Sequence, residues 1–175
     1  MKYWLCEQMA MYAAYHRDAR NCATHYIGVP LIVIGLLISL SFIRLVVIGE
    51  LTVTLATLFL VALIAVYITA LPLMGVVAGV VHAPLLWLAE FIAEGDPNIA
   101  LTTALLFFVG GWILQLIGHV FEGRRPALFD NLLQVLVAPA FLVSEALFAA
   151  GFLSTLKEEL RLRSCKYDNL SNSME

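Results

Sequence analysis

Four long apolar runs constrain this chain more than any other feature. Residues 31–49 are interrupted only by Ser39, Ser41 and Arg44, and residues 51–92 carry His82 and Glu90 as their only acidic, basic or imidazole groups. Residues 99–117 carry none, and residues 132–156 are weakened by Gln134, Pro139 and Glu145. A helix rises 1.5 Å per residue and a bilayer core is about 30 Å thick, so some 20 apolar residues suffice for a crossing. Residues 31–49 can just cross, with Arg44 snorkelling near the far end. Residues 51–92 are too long for one span and about right for two, with the turn near Leu71-Pro72. Residues 93–98 (Ala-Glu-Gly-Asp-Pro-Asn) form an acidic loop, residues 99–117 are the next span, and residues 132–156 read as a kinked span or a broken, partly re-entrant helix.

The expected fold is all-α: a polytopic membrane helical bundle of four spans, or five if the last run crosses fully, preceded by an N-terminal interfacial helix. Residues 1–175 form one membrane-embedded domain, with residues 1–20 as the interfacial helix and 157–175 as a polar tail that frays. The chain is 62% hydrophobic and 13% charged, whereas soluble domains run near half apolar and a quarter charged. The net charge of −3 and the absence of a basic tract give no sign of nucleic acid. Cys6, Cys22 and Cys165 have no disulfide or zinc spacing and read as free thiols. The first 21 residues lack the apolar core of a secretory signal. Arg17/Arg20, Arg124/Arg125 and the basic residues after Lys157 belong on the cytoplasmic side by the positive-inside rule, and Glu94/Asp96 on the other. Five crossings cannot satisfy this, and four can.

Residues 3–18 mix Trp4, Leu5, Met9, Met11, Tyr12 and Tyr15 with Glu7, Gln8 and His16. They read either as an amphipathic helix lying at the interface, aromatic side down, or as a helix capping the bundle. His16 and His25 are nine residues apart, on opposite faces of a straight helix. Serving one site therefore requires a break between them, and Asn21, a good N-cap, is the expected place. Gly28 and Pro30 then adjust the axis of the following helix.

Ionisable residues at the ends of apolar runs are candidate functional residues. The chain has four histidines, His16, His25, His82 and His119, and three of them fall at segment ends on the predicted cytoplasmic side. Neutral imidazole is a common metal ligand. His82 is expected at a helix break made by Ala83-Pro84. Membrane di-iron enzymes need many histidines in paired boxes, which are absent, and no Glu-x-x-His occurs for a bundle di-iron site. A mononuclear centre of three or four nitrogens remains, for which iron(II) is suited. A bis-histidine haem electron carrier competes with it, as does a scaffold or transporter that binds no metal. Glu122 follows His119 by one turn and either orients its imidazole or pairs with Arg124 or Arg125. Asn21 is one turn before His25, as an orienting group or a cap. Arg20, Arg124 and Arg125 are candidate clamps for a carboxylate, and Tyr15 and Gln115 candidate pocket residues.

Two blocks carry a resemblance. Tyr15-His16, Asn21, His25, Gly28 and Pro30 form the first. The second runs from Trp112 and Gln115 through Gly118-His119, Phe121-Glu122 and Arg125-Pro126-Ala127-Leu128 to Asn131-Leu132 and Gln134. Together they resemble the small membrane dioxygenases that act on 2-hydroxy fatty acids in yeast phytosphingosine breakdown to odd-numbered fatty acids. The resemblance implies one Fe(2+) per chain, a 2-hydroxy fatty acid and O2 as substrates, one-carbon shortening by C1–C2 cleavage, and no 2-oxoglutarate. His16, His25 and His119 fall on family histidines, whereas His82 is assigned by the histidine count alone. The acyl chain is expected among the apolar helices, with its carboxylate and 2-hydroxyl at the iron beside Arg20 or Arg125. No eukaryotic retention signal is legible. A bacterial inner membrane is therefore expected, or the endoplasmic reticulum in a eukaryote, with the site on the cytoplasmic side.

Overall fold

The two helices that carry His25 and His119 lie against each other closely enough that their backbones nearly touch. The structure, a computed structural model, describes residues 1–48, 51–123, 126, 131 and 133–171. Side chains are described for these except at 47, 48, 51 and 168–171. Seven helices and one hairpin lie among the described residues: α1 (Lys2–Ala14), α2 (Ala19–Ser41), β1 (Arg44–Ile48), β2 (Leu51–Thr54), α3 (Leu55–Ala70), α4 (Pro72–Ala93), α5 (Pro97–Glu122), α6 (Gln134–Ala149) and α7 (Ser154–Ser171).

Small residues recur at seven-residue intervals on the facing sides of α2 and α5: Gly28 and Gly35 on one, Ala104, Gly111 and Gly118 on the other. Seven residues are two helical turns, so each set forms one stripe. A Cβ placed at Gly35 would lie 2.7 Å from the Phe108 amide nitrogen and 2.8 Å from the Ala104 carbonyl oxygen. One at Gly111 would lie 2.7 Å from the Gly28 carbonyl oxygen, and one at Gly118 would overlap the Asn21 and Thr24 side chains. Close approach through small residues is the usual way for helices to pack where no hydrophobic drive exists between them.

Three helices, rather than four or five, are long and apolar enough to cross a membrane among the described residues: α2, α4 and α5. Helices α3 and α6, with 16 residues each, reach only about 24 Å. The first membrane-length helix is displaced from residues 31–49. It starts at Ala19, capped by Asp18, and ends at Ser41. The β-branched segment after it pairs as an antiparallel hairpin, Arg44 with Thr54 and Ile48 with Leu51, because alternating Val and Thr suit a strand better than a helix end. Thr54 then caps α3, and the Thr54 and Thr57 hydroxyls both donate to Glu90 Oε1 at 2.8 and 2.6 Å. The turn at Leu71-Pro72 and the loop at Glu94–Pro97 fall where the sequence places them.

Two further expectations are corrected. Pro84 does not start a new helix. It lies inside α4, and His82 is buried within that helix rather than at a break. The polar tail does not fray from residue 157, because α7 continues to Ser171 and packs along α1. Arg163 pairs with Glu7 at 2.8 Å, and the Tyr167 hydroxyl donates to Glu7 Oε1 at 2.8 Å. Helix α1 turns Leu5, Cys6, Met9, Ala10 and Tyr12 into the protein and leaves Tyr3 and Trp4 exposed, so its aromatic residues do not share one face. Large apolar side chains on α4 and α5, among them Val80, Trp87, Phe91, Ile99 and Leu106, are exposed, a surface that lipid fits and water does not.

Two outcomes follow. Gly35→Ala, which adds a methyl against backbone, is expected to destabilise the bundle by about 1–3 kcal/mol. Gly110→Ala, which meets nothing within 4 Å, should be neutral or stabilising, since alanine is the better helix former. Thermal unfolding in detergent compares them. Burial raises the Glu7 carboxyl, but hydrogen bonds from Tyr167, Arg163 and Lys166 outweigh it and hold Glu7 below its ordinary value. Its contribution is therefore complete above the unfolded value of about 4.3 and lost as pH falls through the lower folded value. Glu7→Gln should flatten this acid limb of the stability–pH curve.

Candidate metal centre

The site is assembled at the corner between α1 and α2. Helix α1 ends at Ala14, a short turn carries His16, and Asp18 opens α2 by accepting from the Arg20 amide at 2.8 Å. Hydrogen bonds from Arg20 hold the Asp18 carboxyl down at about 2. The break thus falls at residues 15–18 rather than at Asn21, because both Asp and Asn are good caps and Asn21 is used elsewhere. Its buried amide donates to Glu122 Oε2 at 2.9 Å. That carboxylate also accepts from the Asp18 amide at 2.9 Å and the Arg17 amide at 3.1 Å. Glu122, in the last turn of α5, therefore ties down the α1–α2 corner, and its bonds go there rather than to the His119 ring.

The fold brings His16, His25 and His119 together. Each offers a nitrogen within 4.8 Å of the others, and all three are buried. The ring centroids are 4.3 Å apart for His16–His25, 5.0 Å for His16–His119 and 5.2 Å for His25–His119. His16 Nδ1 lies 2.7 Å from the Tyr12 carbonyl oxygen, and His25 Nδ1 lies 2.9 Å from that of Asn21. A carbonyl oxygen only accepts, so both Nδ1 atoms carry the proton and both Nε2 atoms present a lone pair. These Nε2 atoms face each other at 2.9 Å. Two bare lone pairs at that distance repel, and a cation relieves them. A proton is disfavoured on His16, whose imidazole is held well below its ordinary value by burial and then by His25.

The donor set fits a metal ion. Two nitrogens bonded to one ion at about 2.1 Å and at right angles lie about 3.0 Å apart, which matches the His16–His25 separation. A ring whose other nitrogen donates to a carbonyl is the usual arrangement of a ligating histidine. His119 Nδ1 is buried without a hydrogen-bond partner.

A cavity of about 90 Å³ opens beneath the three rings, several times what one water needs, lined chiefly by Val29, Ile32, Leu36, Phe59, Leu60 and Trp112. His82 lines it as well, with Nδ1 2.7 Å from the Ala78 carbonyl oxygen, but it stands outside the group of three. Gln115 lies in the wall. Neither Tyr15 nor Arg20 does: Tyr15 contributes its carbonyl to the Asn21 amide at 3.3 Å, and Arg20 is exposed, paired with Asp18 and stacked over Phe121. Arg124 and Arg125 lie outside the described residues. Sequence reasoning missed Tyr12, which stacks on His16 with centroids 3.8 Å apart and planes at 7°. Its spacing of four before His16 was the available signal.

Fold and site together define an apolar helical bundle with membrane-length helices and a buried trihistidine cluster at the head of an apolar cavity. The chain belongs to the family described as 2-hydroxy-palmitic acid dioxygenase Mpo1-like, which matches residues 4–150. It is 37% identical over 158 residues to the 2-hydroxy-palmitic acid dioxygenase MPO1 of Saccharomyces cerevisiae, covering 89% of this chain and 87% of the yeast protein. No solved structure matches it.

Removing the Glu122 tie tests the geometry. Glu122→Ala should speed hydrogen exchange at the Asp18 amide and lower stability by about 1–3 kcal/mol, since the buried Asn21 amide loses its nearest acceptor. Hydrogen-exchange mass spectrometry of the peptide spanning residues 15–21 reads it directly.

Proposed function

We propose that this protein is a membrane-embedded, iron(II)-dependent dioxygenase that shortens 2-hydroxy fatty acids by one carbon. One observation carries the reading: three convergent buried imidazoles head an apolar cavity, in a chain related over most of its length to a named 2-hydroxy-palmitic acid dioxygenase. A 2-hydroxy acid and O2 balance to the acid one carbon shorter, CO2 and water. No further reductant is needed, in keeping with a reaction that uses no 2-oxoglutarate.

His16, His25 and His119 would hold the iron. Bound there, iron(II) supplies the redox chemistry that O2 requires and that zinc, with a filled d shell, lacks. The carbonyls of Tyr12 and Asn21 fix two of the rings by accepting their Nδ1 protons. Glu122 keeps the corner that carries His16 against α5. The wall of α2 from His25 to Leu36 extends about 16 Å, comparable with a long acyl chain, and each CH₂ buried there contributes about 0.8 kcal/mol. Phe59, Leu60 and Leu63 of α3 close the cavity and exclude water. The substrate enters from the bilayer, with the imidazoles at the cytoplasmic face where Arg17 and Arg20 lie.

The test is metal analysis of detergent-purified protein alongside conversion of 2-hydroxypalmitate, for wild type and His119→Ala. Wild type should carry about one iron per chain and release the fifteen-carbon acid, and His119→Ala should lose both. Iron and turnover that survive the substitution would overturn the site. A Soret band in the purified protein would favour the haem electron carrier, and wild-type protein without metal would favour a scaffold.

A further inference from the structure

Among the described residues, five buried side-chain atoms have no hydrogen-bond partner: Asn21 Oδ1 and Gln134 Oε1, which only accept, His119 Nδ1, and two donor groups outside the imidazoles, each on a residue more than nine-tenths buried. These two donors are the hydroxyl of Tyr12, 4% exposed, and the amide nitrogen of Gln115, 6% exposed. Buried hydroxyls and amides in folded proteins are almost always paired, and an unpaired one weakens the fold that holds it. Both residues line the cavity headed by the trihistidine cluster.

Neither group is free to swing toward another partner. The Tyr12 ring is clamped between His16, at 3.8 Å between centroids, and Phe141, at 4.8 Å. Its own carbonyl holds His16 Nδ1, so it cannot shift without moving a candidate ligand. Gln115 sits one turn before His119 on α5 and is pressed against Gly28, where even a Cβ would overlap its amide. Tyr12, His16 and His25 also line a second cavity, of about 140 Å³, with Cys22, Tyr26 and Glu145. Tyr12 therefore stands where the apolar cavity, the imidazoles and a more polar space meet.

Among the described residues, no lysine or arginine lines the apolar cavity, and Arg20 is committed to Asp18 and Phe121 on the surface. Among the described residues, the side-chain donors that an oxygen-bearing head group meets beside the imidazoles are neutral. Tyrosine, with an ordinary pKa near 10, keeps its proton to donate.

We propose that the Tyr12 hydroxyl and the Gln115 amide form the head-group subsite, donating hydrogen bonds to the carboxylate and 2-hydroxyl oxygens of the substrate. This rests on the dioxygenase reading above and adds to it which side chains recognise the head group. The two donors are unsatisfied in the ligand-free protein because their acceptors arrive with the substrate.

The proposal gives opposite signs for stability and for binding. Tyr12→Phe keeps the ring stack and removes only the unpaired hydroxyl. The ligand-free, iron-loaded protein should melt at the same temperature or higher, while its affinity for 2-hydroxypalmitate falls about tenfold, the loss of roughly one hydrogen bond. Gln115→Leu should weaken binding in the same way. Iron content should match wild type in both, and KM should rise in turnover assays. Affinity within twofold of wild type for both variants would overturn the subsite. So would a Tyr12→Phe protein that melts lower and loses iron, since the hydroxyl would then be structural. Wild-type protein that holds iron but neither binds nor converts 2-hydroxypalmitate would instead refute the dioxygenase reading, and the subsite with it.

Discussion

The near contact between the backbones of α2 and α5 is the constraint on which the rest of this structure depends. His25 and His119 can face one point only if their helices approach closely and in register. Glycine at 28, 35, 111 and 118 makes both possible. A stripe of larger residues would separate the axes by a side-chain layer and draw the imidazoles apart. The register matters equally. Gly118 lies over Asn21 and Thr24, Gly111 over Gly28 and Ile32, and Gly35 over Ala104 and Phe108, an antiparallel alignment that a slide of one turn would break at all three levels. The candidate centre is thus set by three small-residue contacts, one of which, at Gly35, lies well away from it.

The third imidazole comes from outside this pair and needs its own anchor. His16 is in a turn, the least constrained part of the corner, yet its ring is fixed from both sides. Tyr12 stacks on it and accepts its Nδ1 proton, and Glu122 gathers the amides of Arg17 and Asp18 with the Asn21 side chain. Because Glu122 sits one turn past His119, the same end of α5 supplies a candidate ligand and the clasp for another. This is a buried polar network in which a carboxylate has several donors, the arrangement that makes such a group worth keeping in an apolar protein.

Much of this was legible in the sequence, and the failures have physical causes. Hydropathy located the turn at Leu71-Pro72 and the loop before α5, because Pro and Asp-Pro punctuate a helix by local sterics and capping. The nine-residue spacing of His16 and His25 required a break between them. Which of Asp18 and Asn21 makes the cap depends on where Glu122 lies, a contact across a hundred residues that no local rule supplies. The sequence places residues 44–49 at the end of one span and 51–54 at the start of the next, because an apolar run does not distinguish helix from strand. Helix α7 was read as a fraying tail because its partner, Glu7 on α1, is remote in sequence. The glycine stripes were in plain view, but seven-residue spacing gains meaning only when paired with its counterpart.

Tyr12 shows how polarity is handled at the centre of an apolar protein. The chain satisfies the Nδ1 atoms of His16, His25 and His82 with backbone carbonyls and the Asn21 amide nitrogen with Glu122, so it is not short of ways to pair polar groups. A tyrosine hydroxyl and a glutamine amide nitrogen are nonetheless left unpaired in the same cavity, beside the unpaired Nδ1 of His119 and Oε1 of Gln134. Replacing Tyr12 with phenylalanine and Gln115 with leucine would remove both deficits without altering the helices. A fold that retains them forgoes stability, and in the proposed subsite an entering acceptor recovers it. On the proposed subsite, the unpaired atoms describe the ligand: it bears oxygen, arrives beside the imidazoles, and trails an apolar body along the wall of α2.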